Sequence, residues 1–201
     1  MKNSKKSKLI LALITAGIIS SCAGCSGSSE EKVKTGDISS SSSESEKNDE
    51  KNSEEDNAEA GKYAGIGQFI EDDTWKISLL DAKTYGSLTD DSGFYTDEPD
   101  SGNEYLVMFF EVENVSGEDD YFNYFYIDAY ADGYSTDIEI ILNNPDGYDT
   151  LTGDVAAGKK LKGCLAWQVP ENWSEFEMSY NDDFTSSNAS AMFKITSEDA
   201  K

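Results

Sequence analysis

Between residues 74 and 196, short runs of aromatic and β-branched residues alternate with clusters of Gly, Asp and Asn, and no stretch holds a helical period. Runs of that kind, broken by turn-forming residues, are the pattern of strands and tight connections. They predict strands over 74–83, 104–114, 121–131, 136–142, 159–169, 174–180 and 191–196. About seven short strands without intervening helices point to an all-β fold, two antiparallel sheets packed face to face as a β-sandwich.

Side-chain alternation assigns the faces. Leu106, Met108, Phe110 and Val112 share one side of their strand, with Glu111 and Glu113 opposite. Leu161, Leu165, Trp167 and Val169 form a second core row, so Lys160, Lys162, Cys164 and Gln168 point away from it. Trp75, Ile77 and Leu79 form a third. Ala157-Gly158-Lys159 reads as a turn, and Pro170 ends the strand before it. In the aromatic run 121–130, Tyr121, Phe125 and Ile127 fall on one side and Phe122, Tyr124, Tyr126 and Tyr130 on the other. Only one face of a sandwich strand is core. The second row is therefore expected at the surface, a rigid amphipathic face suited to recognising a protein or a glycan.

The N-terminus reads as an address. Four lysines lie within residues 1–8, and an uncharged apolar run from Leu9 to Ile19 leads into Ser20, Ser21 and Cys22. This is the layout of a secretory signal, and the run is too short to span a bilayer as a mature helix. Ile19-Ser20-Ser21-Cys22 resembles the lipobox of bacterial lipoprotein precursors. That resemblance implies cleavage before Cys22 and a diacylglyceryl group on its thiol, with Cys25 the alternative site. Residues 1–21 are then the signal peptide, and the membrane is a partner through the lipid anchor. Residues 26–60 hold 11 acids against 4 lysines and no aromatic residue. Such a composition buries too little apolar surface to order a chain, so residues 22–60 read as a disordered acidic linker ahead of a domain over 61–201.

Several motifs recur in a fixed order. Trp75-Lys-Ile-Ser comes first, followed by Gly102-Asn-Glu-Tyr105 and a strand that ends at Asn114. Ala157-Gly158 precedes Gly163 and a strand closing on Val169-Pro170, and Phe176 to Tyr180 follows. This order resembles the immunoglobulin-like lipoproteins of unknown function found in Gram-positive bacteria, grouped by fold with secreted mycobacterial immunoprotective antigens. The resemblance implies an immunoglobulin-like sandwich held at the extracellular face of a bacterial cell membrane. It brings no catalytic residues with it.

Composition narrows the chemistry. The chain has no His and no Arg, and its net charge is −24. No imidazole is available for a nucleophile relay or a metal site, and no guanidinium for phosphate. Clustered cations, which nucleic-acid binding needs, are missing. Acid-rich loops containing Asp97, Asp100, Asp146 and Asp149 supply the hard oxygen ligands that Ca²⁺ takes, although neither fits an EF-hand loop. Cys164 lacks a His partner and reads as a small strand residue or a free thiol. The expectation is a non-enzymatic recognition module with no cofactor. The alternatives are a weak Ca²⁺-binding structural module and, behind it, an envelope glycan hydrolase with paired carboxylates.

Overall fold

The structure, a computed structural model, describes residues 33–38, 63–90, 92–181 and 191–201. In chain order the strands are β1 (Lys34–Asp37), β2 (Gln68–Glu71), β3 (Trp75–Tyr85), β4 (Leu88–Thr89), β5 (Thr96–Asp97), β6 (Asn103–Asn114) and β7 (Asp120–Phe122). A 3-10 turn at Tyr124–Tyr126 leads to β8 (Ile127–Ala131), β9 (Tyr134–Thr136) and β10 (Ile138–Glu139). A second 3-10 turn at Pro145–Gly147 precedes β11 (Gly153–Val155), β12 (Lys160–Pro170), β13 (Glu175–Tyr180) and β14 (Ala191–Thr196).

One sheet has the order β1-β2-β3-β6-β12-β10, and another β14-β13-β8-β9, with small two-stranded pairs β11-β7 and β4-β5 beside them. All these named strand pairs are antiparallel. The inner faces of the two large sheets meet in one core. Trp167 lies 5.1 Å from Phe176 and Phe110 lies 6.0 Å from Phe193, ring centre to ring centre, each contact joining one sheet to the other. The three predicted core rows on β3, β6 and β12 all supply this core. The fold is therefore the expected all-β sandwich.

The six-stranded sheet is also covered on its outer face. Leu88, Tyr105, Val107, Phe109, Ile141, Cys164 and Ala166 form a second core there, with Tyr148 packed edge-on to Phe109 at 4.9 Å. Burial on both sides explains why β6 reads Leu-Val-Met-Phe-Phe without a polar break. A register shift between Leu79 and Asp81 marks a bulge in β3, which turns Leu80 toward the second core and Ala82 into the first.

Three expectations are corrected. The strand expected over 136–142 shrinks to the end of β9 and the two residues of β10, leaving 140–142 outside any strand. The single strand over 121–131 divides into β7, a 3-10 turn and β8. The boundary at residue 61 also fails, because Lys34–Asp37, read as part of a disordered linker, is the edge strand β1 paired with β2. Edge pairing draws on backbone N–H and C=O groups, so a segment poor in apolar side chains can still join a sheet. The signal segment, Cys22, Cys25 and most of the acidic linker lie outside the described residues.

Candidate recognition site

The aromatic run does not form the predicted surface row. Asn123 caps the 3-10 turn, its side-chain oxygen accepting from Phe125 N at 3.0 Å, and the turn breaks the alternation of a strand. Phe122, expected outside, is 1% exposed. It stacks on Tyr180 at 4.9 Å and meets Trp75 edge-on at 5.4 Å. Tyr124 and Tyr126 are half-buried against the main core, whereas Tyr130 is exposed on the outer face of β8. Phe125, expected inside, is 77% exposed. Of the predicted row, the structure thus leaves only Tyr130 exposed. It gathers Tyr121, Asn123 and Tyr126 with Trp75, Asp120 and Tyr180 around a shallow pocket of about 290 Å³.

The acidic loops come together on the other side of the six-stranded sheet, where the carboxylates of Asp90, Asp97 and Asp146 have structural partners. Asp90 closes the β4–β5 hairpin, accepting from Phe94 N at 2.9 Å, Tyr95 N at 3.1 Å and Ser92 Oγ. The Ser92 hydroxyl first, and then the backbone donors, hold its carboxyl below the ordinary aspartate value. Asp97 fastens the hairpin to the following loop, accepting from Leu142 N at 3.0 Å, Asn143 N at 2.9 Å and Asn143 Nδ2 at 3.0 Å. Asp146, in the left-handed region at φ 58°, pairs with Lys83 at 2.7 Å. Asp100 and Asp149 are exposed and serve through their backbones: Asp100 N donates to Gln168 Oε1 at 2.7 Å, and Asp149 O accepts from Cys164 N at 2.9 Å. Among the described residues, no three Asp, Glu or Cys side chains gather where they would hold a metal ion. Between hairpin and loop runs an open cleft of about 500 Å³, bordered by Asp90, Asn143, Asn144, Asp146, Tyr148 and Asp149.

Cys164 lies beneath this cleft as a buried free thiol, with Sγ 3.6 Å from Asn144 Oδ1. Burial pushes it up to about 11, and the carboxylates of Asp149 and Asp146 add to the effect. At neutral pH it stays protonated and is a poor nucleophile.

The hairpin and loop also carry an exposed apolar group that sequence reading missed. Phe94 is 91% exposed, Tyr95 59%, Ile140 70% and Leu142 66%. Asn143 joins the two segments, its Nδ2 lying 3.4 Å from Tyr95 O and 3.3 Å from Leu88 O. A signal existed in Ile140-Ile141-Leu142. Three consecutive large apolar residues cannot all face one core, and with Ile141 buried in the second core its two neighbours are left exposed.

No curated protein sequence matches the chain. Among solved structures, it is similar to a proposed lipoprotein of Bacillus subtilis at 15% identity, covering 63% of this chain and 38% of that one, with a TM-score of 0.48. A proposed lipoprotein of Staphylococcus aureus matches at 10% identity over 66% of this chain and 90% of its own, TM-score 0.48. A β-sandwich protein of Clostridium difficile matches at 15% identity over 75% and 99%, TM-score 0.44. The sequence profile of a domain of unknown function, DUF5067, matches residues 38–182, from just after β1 to just beyond β13, and the chain belongs to that family.

Proposed function

We propose that this protein is a lipid-anchored, extracellular, non-catalytic recognition module that docks a cationic polypeptide through Phe94, Tyr95, Ile140 and Leu142. The lipobox ending at Cys22 supports the anchor. The carrying observation for recognition is four large apolar side chains, 59–91% exposed, on two segments locked together by Asp97 and Asn143. Exposed apolar groups held in place on a soluble domain mark contact surfaces. Charge selects the partner. From Thr84 to Gly158 the chain has 18 acids and no lysine, and this stretch contains the hairpin, the loop and the aromatic turn. A second copy or an anionic surface would be repelled, whereas a polypeptide with Lys or Arg beside apolar side chains meets both features. The absence of His and the protonated Cys164 support a role without catalysis.

The test is calorimetric titration of residues 22–201 with an amphipathic Lys/Leu peptide and with its Glu/Leu counterpart. The cationic peptide binds and the acidic one does not. The double variant Phe94→Ser, Leu142→Ser loses at least about tenfold in affinity, roughly 1.4 kcal/mol, with an unchanged melting temperature. Equal affinity of the variant would show that charge alone attracts the peptide, and the docking assignment would be abandoned.

A further inference from the structure

We infer that β1, rather than the long acidic segment after it, sets the distance between the membrane anchor and the sandwich. The inference rests on the lipid-anchored reading above. Lys34–Asp37 pairs antiparallel with β2, Lys34 opposite Glu71 and Asp37 opposite Gln68, and Ile38 N donates to Gly67 O at 2.8 Å beyond the strand. Side chains fix the register. Lys34 Nζ lies 2.7 Å from Glu71 Oε1, and Gln68 Nε2 donates to Asp37 Oδ1 at 3.0 Å. Gly36 sits against the ring of Phe69, where a Cβ would come within 2.7 Å of a ring carbon.

Both ends of residues 39–67 are therefore fixed at one sheet edge, and that segment closes on itself. It lies off the path from anchor to domain, which runs through the 11 residues between Cys22 and Lys34. Fully extended, that path reaches at most about 40 Å, and it would run through 45 residues if the ordered domain began at β2. The domain is held within that reach of its anchor.

The test couples residues 22–201, carrying Cys25→Ser, through Cys22 to maleimide lipid in phosphatidylcholine vesicles. Energy transfer is measured from a dye attached enzymatically at the C-terminus to acceptor lipids. Chemical coupling makes the result independent of native lipidation, which palmitate labelling of wild type against Cys22→Ser tests separately. Deleting residues 41–60 leaves transfer unchanged, because the remaining connection still closes β1 onto β2. Gly36→Val lowers transfer as β1 is released and the path to the membrane grows from 11 to 45 residues. Hydrogen exchange on the same samples shows the amides of residues 35–38 losing protection in Gly36→Val while those of β6 keep it. A rise in transfer on deleting 41–60 would make that segment the spacer and overturn the inference. So would unchanged transfer in Gly36→Val with residues 35–38 deprotected.

Discussion

A methyl group on Gly163 would stand 2.5 Å from Leu151 Cα, 2.8 Å from Leu151 N and 2.9 Å from Asp149 O. All three are backbone atoms, and the segment bearing them is tied to β12 by Leu151 N–Cys164 O at 3.0 Å and Cys164 N–Asp149 O at 2.9 Å. No rotamer change can relieve such a contact. Gly163→Ala is expected to cost about 2–3 kcal/mol, the upper range for overpacking, read as a lower urea midpoint with an unchanged slope. Asn114 shows the opposite economy of space. It is wholly buried, and its amide donates to Glu118 O and Val155 O at 2.8 Å each while its oxygen accepts from Ser116. A buried amide with its partners present stabilises the end of β6, and this is the physical reason the strand closes on Asn. At Cys164 the consequence is chemical. The folded value of about 11 lies above that of an unfolded thiol, near 8.5. The stability that this difference contributes is complete below pH ~8.5 and is lost as pH rises toward 11. A disulfide reagent at pH 8 should leave Cys164 unmodified in the native protein and react with it fully in denaturant. Rapid native modification would mean that the thiol is neither buried nor protonated.

Among the elements, the β4–β5 hairpin shows how a short polar connection becomes part of a core. Two-residue strands are too short to hold themselves. The hairpin is instead held by Leu88 beneath it and by Asp97, whose carboxylate accepts three hydrogen bonds from Leu142 and Asn143. Asp97→Ala removes all three at an exposed edge and is expected to cost about 1–3 kcal/mol. Exchange should rise for the hairpin and the 142–143 amides while β3, β6 and β12 stay protected. Uniform loss of protection would show that the hairpin does not open alone. The same element marks the limit of what the sequence reveals. β3, β6, β12, β13 and β14 are legible as apolar and aromatic runs between turn residues, and the core rows assigned on β3, β6 and β12 are rows of the observed main core. The Tyr121–Tyr130 run misleads because one Asn side chain bonding Phe125 N converts a strand pattern into a turn, inverting Phe122 and Phe125. β1 is invisible because its pairing rests on backbone groups and a glycine beneath a ring. The apolar group at Phe94 and Leu142 depends on two loops meeting, and residue spacing does not encode such a meeting.

At the scale of the whole molecule, charge opposes compaction. The chain holds 40 acids against 16 lysines, so one-to-one pairing would leave at least 24 acids without a cation. Several pairs are formed: Lys34–Glu71 at 2.7 Å, Lys83–Asp146 at 2.7 Å, Lys160–Glu111 at 2.6 Å and Lys194–Glu175 at 2.8 Å. All lie near solvent, where such a pair contributes about 0–1 kcal/mol. Salt acts on both attraction and repulsion. Raising ionic strength from 10 to 150 mM shortens the screening length from about 30 to about 8 Å. Pairs in contact at under 3 Å lie well inside either length and lose only part of their attraction. Repulsion among like charges spread over the surface acts across tens of ångströms and is largely removed. The melting temperature is therefore expected to rise with NaCl over this range, as it does when self-repulsion limits a compact state. The order of variants follows from the same argument. Lys160→Met removes a cation that lies 2.6 Å from Glu111 and 3.4 Å from Glu113, so its melting temperature should fall most at 10 mM and converge toward wild type at 150 mM. A wild-type melting temperature that falls with salt would mean that the few ion pairs, and not the excess of acids, dominate the electrostatics of the fold.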